Sequence, residues 1–214
     1  HPGVTLQGLG IGSTKIWAVP PGVPASSPPC AIWVPESDVK LVGFTLIGLG
    51  KGNTTHPRRG IKFQGTSANP LFNSLVNEIE VMNFDRTGLE FFLCNNSVIG
   101  FPLTGSVKLH DNGGRGLSLI VVNGALVQGL STWNNEWCGM AVQSRNEPAY
   151  LPGISTGVVI TGPNSFNENF WVNASGQING GLMTEQDAAG LPVTVGCTSF
   201  FDVFLSPVDF SFGL

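Results

Sequence analysis

Residues 60–64 read "GIKFQ", residues 88–92 read "GLEFF" and residues 116–120 read "GLSLI". The pattern glycine, apolar, any, apolar thus recurs three times at a constant interval of 28 residues. Alternation of period two is the mark of a strand with one buried face. Ile61, Leu89 and Leu117, joined by Met140 of "GMAV", are therefore expected in one interior column. Lys62, Glu90, Ser118 and Ala141 should point the other way. The leading glycine is expected to turn the chain at positive φ, where a Cβ is costly.

The pattern continues in both directions. "AIWV" starts at Ala31, "FWVN" at Phe170 and "VFLS" at Val203, so successive starts lie 29, 28, 28, 23, 31 and 33 residues apart. A second series has the form apolar, any, apolar: "VKL" (39–41), "IEV" (79–81), "VKL" (107–109), "VVI" (158–160) and "VTV" (193–195). Short strands repeating at this length, without helical periodicity, predict a solenoid. One turn of a solenoid cannot bury its inner face alone, and stacking supplies the missing cover. A β-sandwich also has many short strands but no near-constant phase. A left-handed β-helix needs a hexapeptide period, which is absent.

Residues 4–18, "VTLQGLGIGSTKIWA", carry a more specific likeness. The phrase V-T-L-x-G-x-G-x-G-S-T-x-I resembles the opening coil of the right-handed parallel β-helix in the pectate-lyase-like superfamily. That superfamily includes polysaccharide lyases, glycosidases, epimerases and bacteriophage tailspikes. The resemblance implies an all-β chain, a single-stranded right-handed parallel β-helix (solenoid) of about seven coils, roughly 34 Å of stack. It covers residues 1–214 as one β-helix domain. Residues 18–30, 48–60 and 143–156 read as loops on that scaffold, where binding groups are often carried. The opening His1-Pro2-Gly3 reads as a processed product or an excerpt of a longer chain.

Composition narrows the function classes. Charged residues make up 11% of the chain, and ten Lys and Arg against fourteen Asp and Glu leave a net charge of −4. The cations are dispersed, so no footprint for nucleic acid is present, and no apolar run is long enough to span a membrane. Cys30, Cys94, Cys138 and Cys197 are far apart without a C-x-x-C pair, which suits buried small hydrophobes better than a zinc or disulfide framework. No metal or other cofactor is expected, and calcium, which wants several converging oxygen ligands, is unsupported.

Enzymes of the resembling superfamily work along a groove beside a stacked sheet. The outward columns of the glycine-led strands hold Trp33, Lys62, Glu90, Ser118, Ala141, Trp171 and Phe204, then Gln64, Phe92, Ile120, Gln143 and Asn173. Rings stack on the apolar faces of sugars and amides bond hydroxyls, so Trp33, Gln64, Phe92, Gln143, Trp171 and Asn173 are candidates for binding polysaccharide. The same rings would equally suit a protein contact. Glycoside hydrolysis generally needs two carboxylates about 5–10 Å apart, which nominates Glu80, Asp85, Glu90, Asp111 and Glu136. Lys62 beside Glu90 reads as an acid–base pair or, more simply, a cross-strand ion pair. Aligning "IEVMNF" with "VKLHDN" stacks Asn83 near Asp111 in a turn ladder, and His110-Asp111 reads as an acid–base unit or a surface turn. The N-T-D, D-D and G-H motifs of polygalacturonase-like members are absent, as is the v-W-I-D-H phrase of pectate lyases. Two functions follow: an extracellular or virion-surface module that binds polysaccharide, with or without cleaving it, or a non-catalytic homo-oligomer that assembles through its apolar outer face or open ends.

Overall fold

The structure, a computed structural model, describes residues 2–18, 30–53, 57–102, 105–143, 155–161 and 163–168, together with the backbone of Trp171–Val172, Ile178–Thr184 and Val195–Cys197. Among the described residues there is no helix, and all strand pairs but one are parallel. β1 (Thr5–Gln7) and β2 (Lys15–Trp17) lie in a first sheet, β3 (Cys30–Val34) in a second. β4 (Lys40–Ile47) returns to the first, β5 (Arg59–Gln64) to the second, and β6 (Leu71–Phe72) opens a narrow third. The cycle repeats with β7 (Leu75–Met82), β8 (Leu89–Phe92) and β9 (Cys94–Asn95). It repeats again with β10 (Val98–Ile99) and β11 (Val107–His110) in the first sheet and β12 (Arg115–Ile120) in the second. β13 (Leu126–Val127), β14 (Leu130–Trp133) and β15 (Cys138–Gln143) follow the same order, then β16 (Val158–Ile160) and β17 (Ser165–Asn167). β18 (Trp171–Val172) and β19 (Ile178–Thr184) rejoin the second sheet and β20 (Val195–Cys197) the first.

The register joins Ile32, Ile61, Leu89, Leu117 and Met140 in one column. Phe63, Phe91, Leu119 and Val142 form a second, in which the two phenyl rings stack 4.5 Å apart. Facing them from the first sheet are Phe44, Ile79, Val107 and Leu130 in one row and Leu46, Val81 and Leu109 in another. All but Ile32, which is half-buried and packs against it, belong to one buried apolar cluster. Each fully buried Leu, Ile or Phe contributes about 1.5–3 kcal/mol. Cys30, Cys94 and Cys138 are buried free thiols, and burial pushes them up to about 11, 12 and 12.

Three expectations need correction. The leading glycines of the second sheet are not positive-φ corners; Gly60, Gly116 and Gly139 sit inside strands. They are glycines because space runs out. A Cβ on Gly60 would lie 2.4 Å from Gly88 O, and one on Gly116 would lie 2.5 Å from Gly139 O and 2.9 Å from the Asn135 amide. Secondly, the apolar-any-apolar triplets, one series in the sequence, divide between two ladders. β4 and β7 bend at Gly43 (φ 76°) and Glu78 (φ 50°), so each contributes to two ladders. Residues 39–41 fall in the ladder of β10, β13 and β16, whereas 79–81 and 107–109 pair with each other. Thirdly, the parallel partner of β15 is β19, and "FWVN" supplies instead β18, antiparallel to β19. Val203 and Phe204 lie outside the described residues.

Positive φ concentrates at turns in register. Asp38, Asn73, Asn96, Gly124 and Gly157 form one such row, and Asn83, Asp111 and Asn134 form another. Asn, Asp and Gly tolerate this conformation best.

Candidate functional site

The two expected columns on the outer face of the second sheet exist as register columns. Trp33 aligns with Lys62, Glu90, Ser118 and Ala141, and Gln64 with Phe92, Ile120 and Gln143. Their exposure differs from that of a surface groove. Trp33 is 53% exposed and Lys62 and Gln64 are half-buried, yet Glu90, Phe92, Ser118, Ala141 and Gln143 are 0–8% exposed. Several of their polar groups pair with one another. Lys62 Nζ lies 3.2 Å from Glu90 Oε1 and sits over the Phe92 ring, Arg59 Nε lies 3.6 Å from Glu90 Oε2, and Ser118 Oγ donates to Gln143 Oε1 at 3.2 Å. Lys62 and Glu90 thus form a cross-strand ion pair. Asp85 is tied to Arg58 by a salt bridge. The side chain of Trp171 and the whole of Asn173 lie outside the described residues.

A denser polar cluster lies on the other sheet, on the outer side of β4, β7, β11 and β14. Alternation sends Ile79 and Val81 inward, so Glu80 and Met82 face out, as do Lys108 and His110 on β11. Thr45 Oγ1 accepts from the Gly12 N–H and donates to Glu80 Oε2, both at 2.9 Å. His110 Nε2 lies 3.3 Å from Glu80 Oε1, and His110 Nδ1 lies 2.7 Å from Asp111 Oδ2. Asn134 Nδ2 donates to the other Asp111 oxygen, and Lys51, from the loop after β4, reaches across to donate to the Asn134 carbonyl. The His110 ring stacks on Trp133 with centroids 3.9 Å apart and planes 11° from parallel.

The result is an imidazole, only 6% exposed, held between two carboxylates. Only a doubly protonated ring donates from both nitrogens; a neutral ring donates to one carboxylate and needs a proton on the other to complete the pair. Burial raises the Asp111 carboxyl, but hydrogen bonds from His110 and Asn134, with the charges of His110 and Lys51, carry it below its ordinary value. An imidazole in contact with two carboxylates brings together the groups that general acid–base chemistry uses. The aromatic and thioether groups beside it are in register: Trp17, Ile47, Met82, His110 and Trp133.

His110-Asp111 was visible in the sequence as one unit and Glu80 as a separate candidate, and the stacking of Asn83 with Asp111 and Asn134 matches the expected turn ladder. Trp133, Thr45 and Lys51 were not singled out. The contact of Glu80 with His110 is diagonal, since Glu80 pairs with Lys108 and Met82 with His110, and reading straight columns misses it. Among the described residues no group of three or more His, Cys, Asp or Glu side chains could hold a metal ion. Comparisons with protein-family models, curated proteins and solved structures returned no match.

Proposed function

We propose that the chain winds as a right-handed parallel β-helix that binds polysaccharide along the outer face of β4, β7, β11 and β14, in an extracellular or virion-surface setting. The winding is supported by the fixed order in which the chain revisits its sheets and by the offset of 28 residues from Ile61 to Leu89 to Leu117. The observation that carries the binding reading is the hydrogen-bonded line Thr45, Glu80, His110, Asp111 and Asn134 beside the Trp133 ring. Ring faces suit the apolar faces of sugars, and the polar line offers donors and acceptors to hydroxyls. His110 with its two carboxylates supplies a proton donor or acceptor for cleavage of a glycosidic bond.

The test is direct. A panel of anionic and neutral oligosaccharides is titrated against wild type, Trp133→Ala and Trp17→Ala, with far-UV spectra to check folding. Loss of affinity of about tenfold in Trp133→Ala is expected, the scale of a lost aromatic contact of 1.4 kcal/mol. Cleavage is followed by absorbance near 235 nm and by new reducing ends, and His110→Ala should abolish either signal. Absence of binding across the whole panel would remove the reading.

A second reading is favoured by one observation. β1, β2 and β3 are each paired on one side only among the described residues, and Val4, Leu6, Trp17 and Trp33 beside them are exposed. An unpaired apolar edge is a template for association, so a non-catalytic, self-assembling module predicts concentration-dependent sedimentation. A strictly monomeric profile counts against it.

A further inference from the structure

The chain contains three Asn-Gly pairs, Asn112-Gly113, Asn123-Gly124 and Asn179-Gly180. Such a pair carries its own nucleophile. The glycine nitrogen can close on the carbon of the asparagine side-chain amide, an intramolecular attack that glycine, without a Cβ, hinders least. Sequence ranks the three pairs equally, and the fold separates them.

Asn112 is 0% exposed. Its Oδ1 accepts from the Phe84 N–H at 3.1 Å, its Nδ2 donates to Asn135 Oδ1 at 2.9 Å, and the Gly113 N–H donates to the Phe84 carbonyl at 2.8 Å. Both reacting groups are tied inside the molecule, away from the water that the reaction consumes. Asn179 and Gly180 lie within β19, where Asn179 pairs with Trp171 on one side and Gly180 with Cys138 on the other. Ring closure there has to break a ladder.

Asn123 is placed differently. It is exposed, lies between β12 and β13, and bridges to Asn95 and Thr156. Gly124 follows at φ 75°, so the chain bends at the reacting bond. The Asn123 N–H donates to the Cys94 carbonyl and the Asn123 carbonyl accepts from the Asn96 N–H, and neither bond involves the attacking nitrogen. That nitrogen is held by the bond from the Gly124 N–H to the carbonyl of Thr156, which is itself exposed. Thr156 Oγ1 also donates to Asn123 Oδ1 at 2.8 Å. A donor on that oxygen polarises the side-chain carbonyl and stabilises the negative charge that collects there on attack.

We propose that Asn123 is a site of spontaneous deamidation and backbone isomerisation, with the Thr156 hydroxyl activating its amide. The Gly124 nitrogen, released from the Thr156 carbonyl, gives its proton to solvent and bonds to Asn123 Cγ. The bond from Cγ to Nδ2 breaks, and ammonia leaves. Water then opens the succinimide at either of its carbonyls, giving aspartate or isoaspartate, and nothing is oxidised or reduced. Both products carry a new negative charge. Isoaspartate also routes the main chain through Cβ, which lengthens it at the bridge between Asn95 and Thr156. The change accumulates with time in the folded protein and needs no enzyme.

The whole chain is incubated at mildly alkaline pH, folded or in urea, and each pair is followed by peptide mapping with an assay for isoaspartate. In urea Asn112 and Asn123 should convert at similar rates, since both precede glycine. In the folded protein Asn123 should convert about tenfold faster than Asn112, or more, because the buried pair reacts only through local opening. Asn179 should stay behind Asn123 in the same way. Thr156→Val keeps the backbone bond, removes the hydroxyl and should slow Asn123 about fivefold, the scale of one neutral hydrogen bond. Asn112 converting as fast as Asn123 in the folded protein, or Asn123 surviving there while it converts in urea, overturns the site. An equal or faster rate in Thr156→Val overturns the role given to its hydroxyl.

Discussion

Glu168 is the carboxylate on which a buried row of amides ends. Asn135 Nδ2 donates to one of its oxygens at 2.8 Å and Thr132 Oγ1 to the other at 2.9 Å. Those bonds favour the anion, but burial outweighs them and pushes the carboxyl up to about 7. Its folded-state value therefore exceeds the unfolded one of 4.5, and the native chain holds the proton more tightly. Stability from this group is fully present below the unfolded value and is lost as pH rises through about 7. Asp111 acts in the opposite sense. Its carboxyl is lowered from 3.8, so its contribution is present above that value and is lost in acid. The expected outcome is a melting temperature that declines from pH 4.5 to 7 in the wild type and is flat over that window in Glu168→Gln. Parallel curves for the two proteins would sink this assignment.

At the scale of elements, the turns are held by a row of side-chain amides that runs across the strands. Asn112 Oδ1 accepts from the Phe84 N–H at 3.1 Å, Asn112 Nδ2 donates to Asn135 Oδ1 at 2.9 Å, and Asn135 Nδ2 donates to the Leu109 carbonyl at 2.9 Å. Asn112→Ala strands the buried Phe84 N–H, whereas Asn135 Oδ1 keeps the Asn112 backbone N–H, which donates to it at 3.2 Å. A loss of about 1–3 kcal/mol is expected, read as a lower urea midpoint at unchanged slope. Leu117→Ala should cost about 2–5 kcal/mol for a different reason, the cavity left in a close-packed column. These elements were unequally legible. The column from Ile61 to Met140 could be read because strand alternation and the repeat interval agree. The bends at Gly43 and Glu78 could not, because Glu is no ordinary occupant of positive φ, and the same holds for Leu93 and Val121 at 53°. At the site, adjacency gave His110 with Asp111, whereas Glu80 and Lys51 arrive by a diagonal contact and a long loop.

At the scale of the whole molecule, parallel register makes a prediction that a sandwich of antiparallel strands does not. Lys108 pairs with Ser131, and Ser131 with Ser165. Neighbouring parallel strands lie about 4.8 Å apart, within reach of a disulfide, whose Cα atoms stand about 4.4–6.8 Å apart. Lys108→Cys with Ser131→Cys should oxidise to an intramolecular bond, and Lys108→Cys with Ser165→Cys, two strands apart, should not. Mass spectrometry of non-reduced digests reads the difference. The bend of the first sheet has a further consequence. Two residues separate Val76 from Ile79 and Val127 from Leu130, yet seven separate Ile99 from Val107. The flanking registers are undisturbed, and Ser106 Oγ ties off the base of the excursion through both polar groups of the Phe101 backbone. Extra chain at this point leaves the ladders as they are, and doubling its length carries an entropic penalty of only about 0.6 kcal/mol. Evolution, or an engineer grafting a peptide epitope, can therefore add chain between β10 and β11 while the register of both ladders is kept.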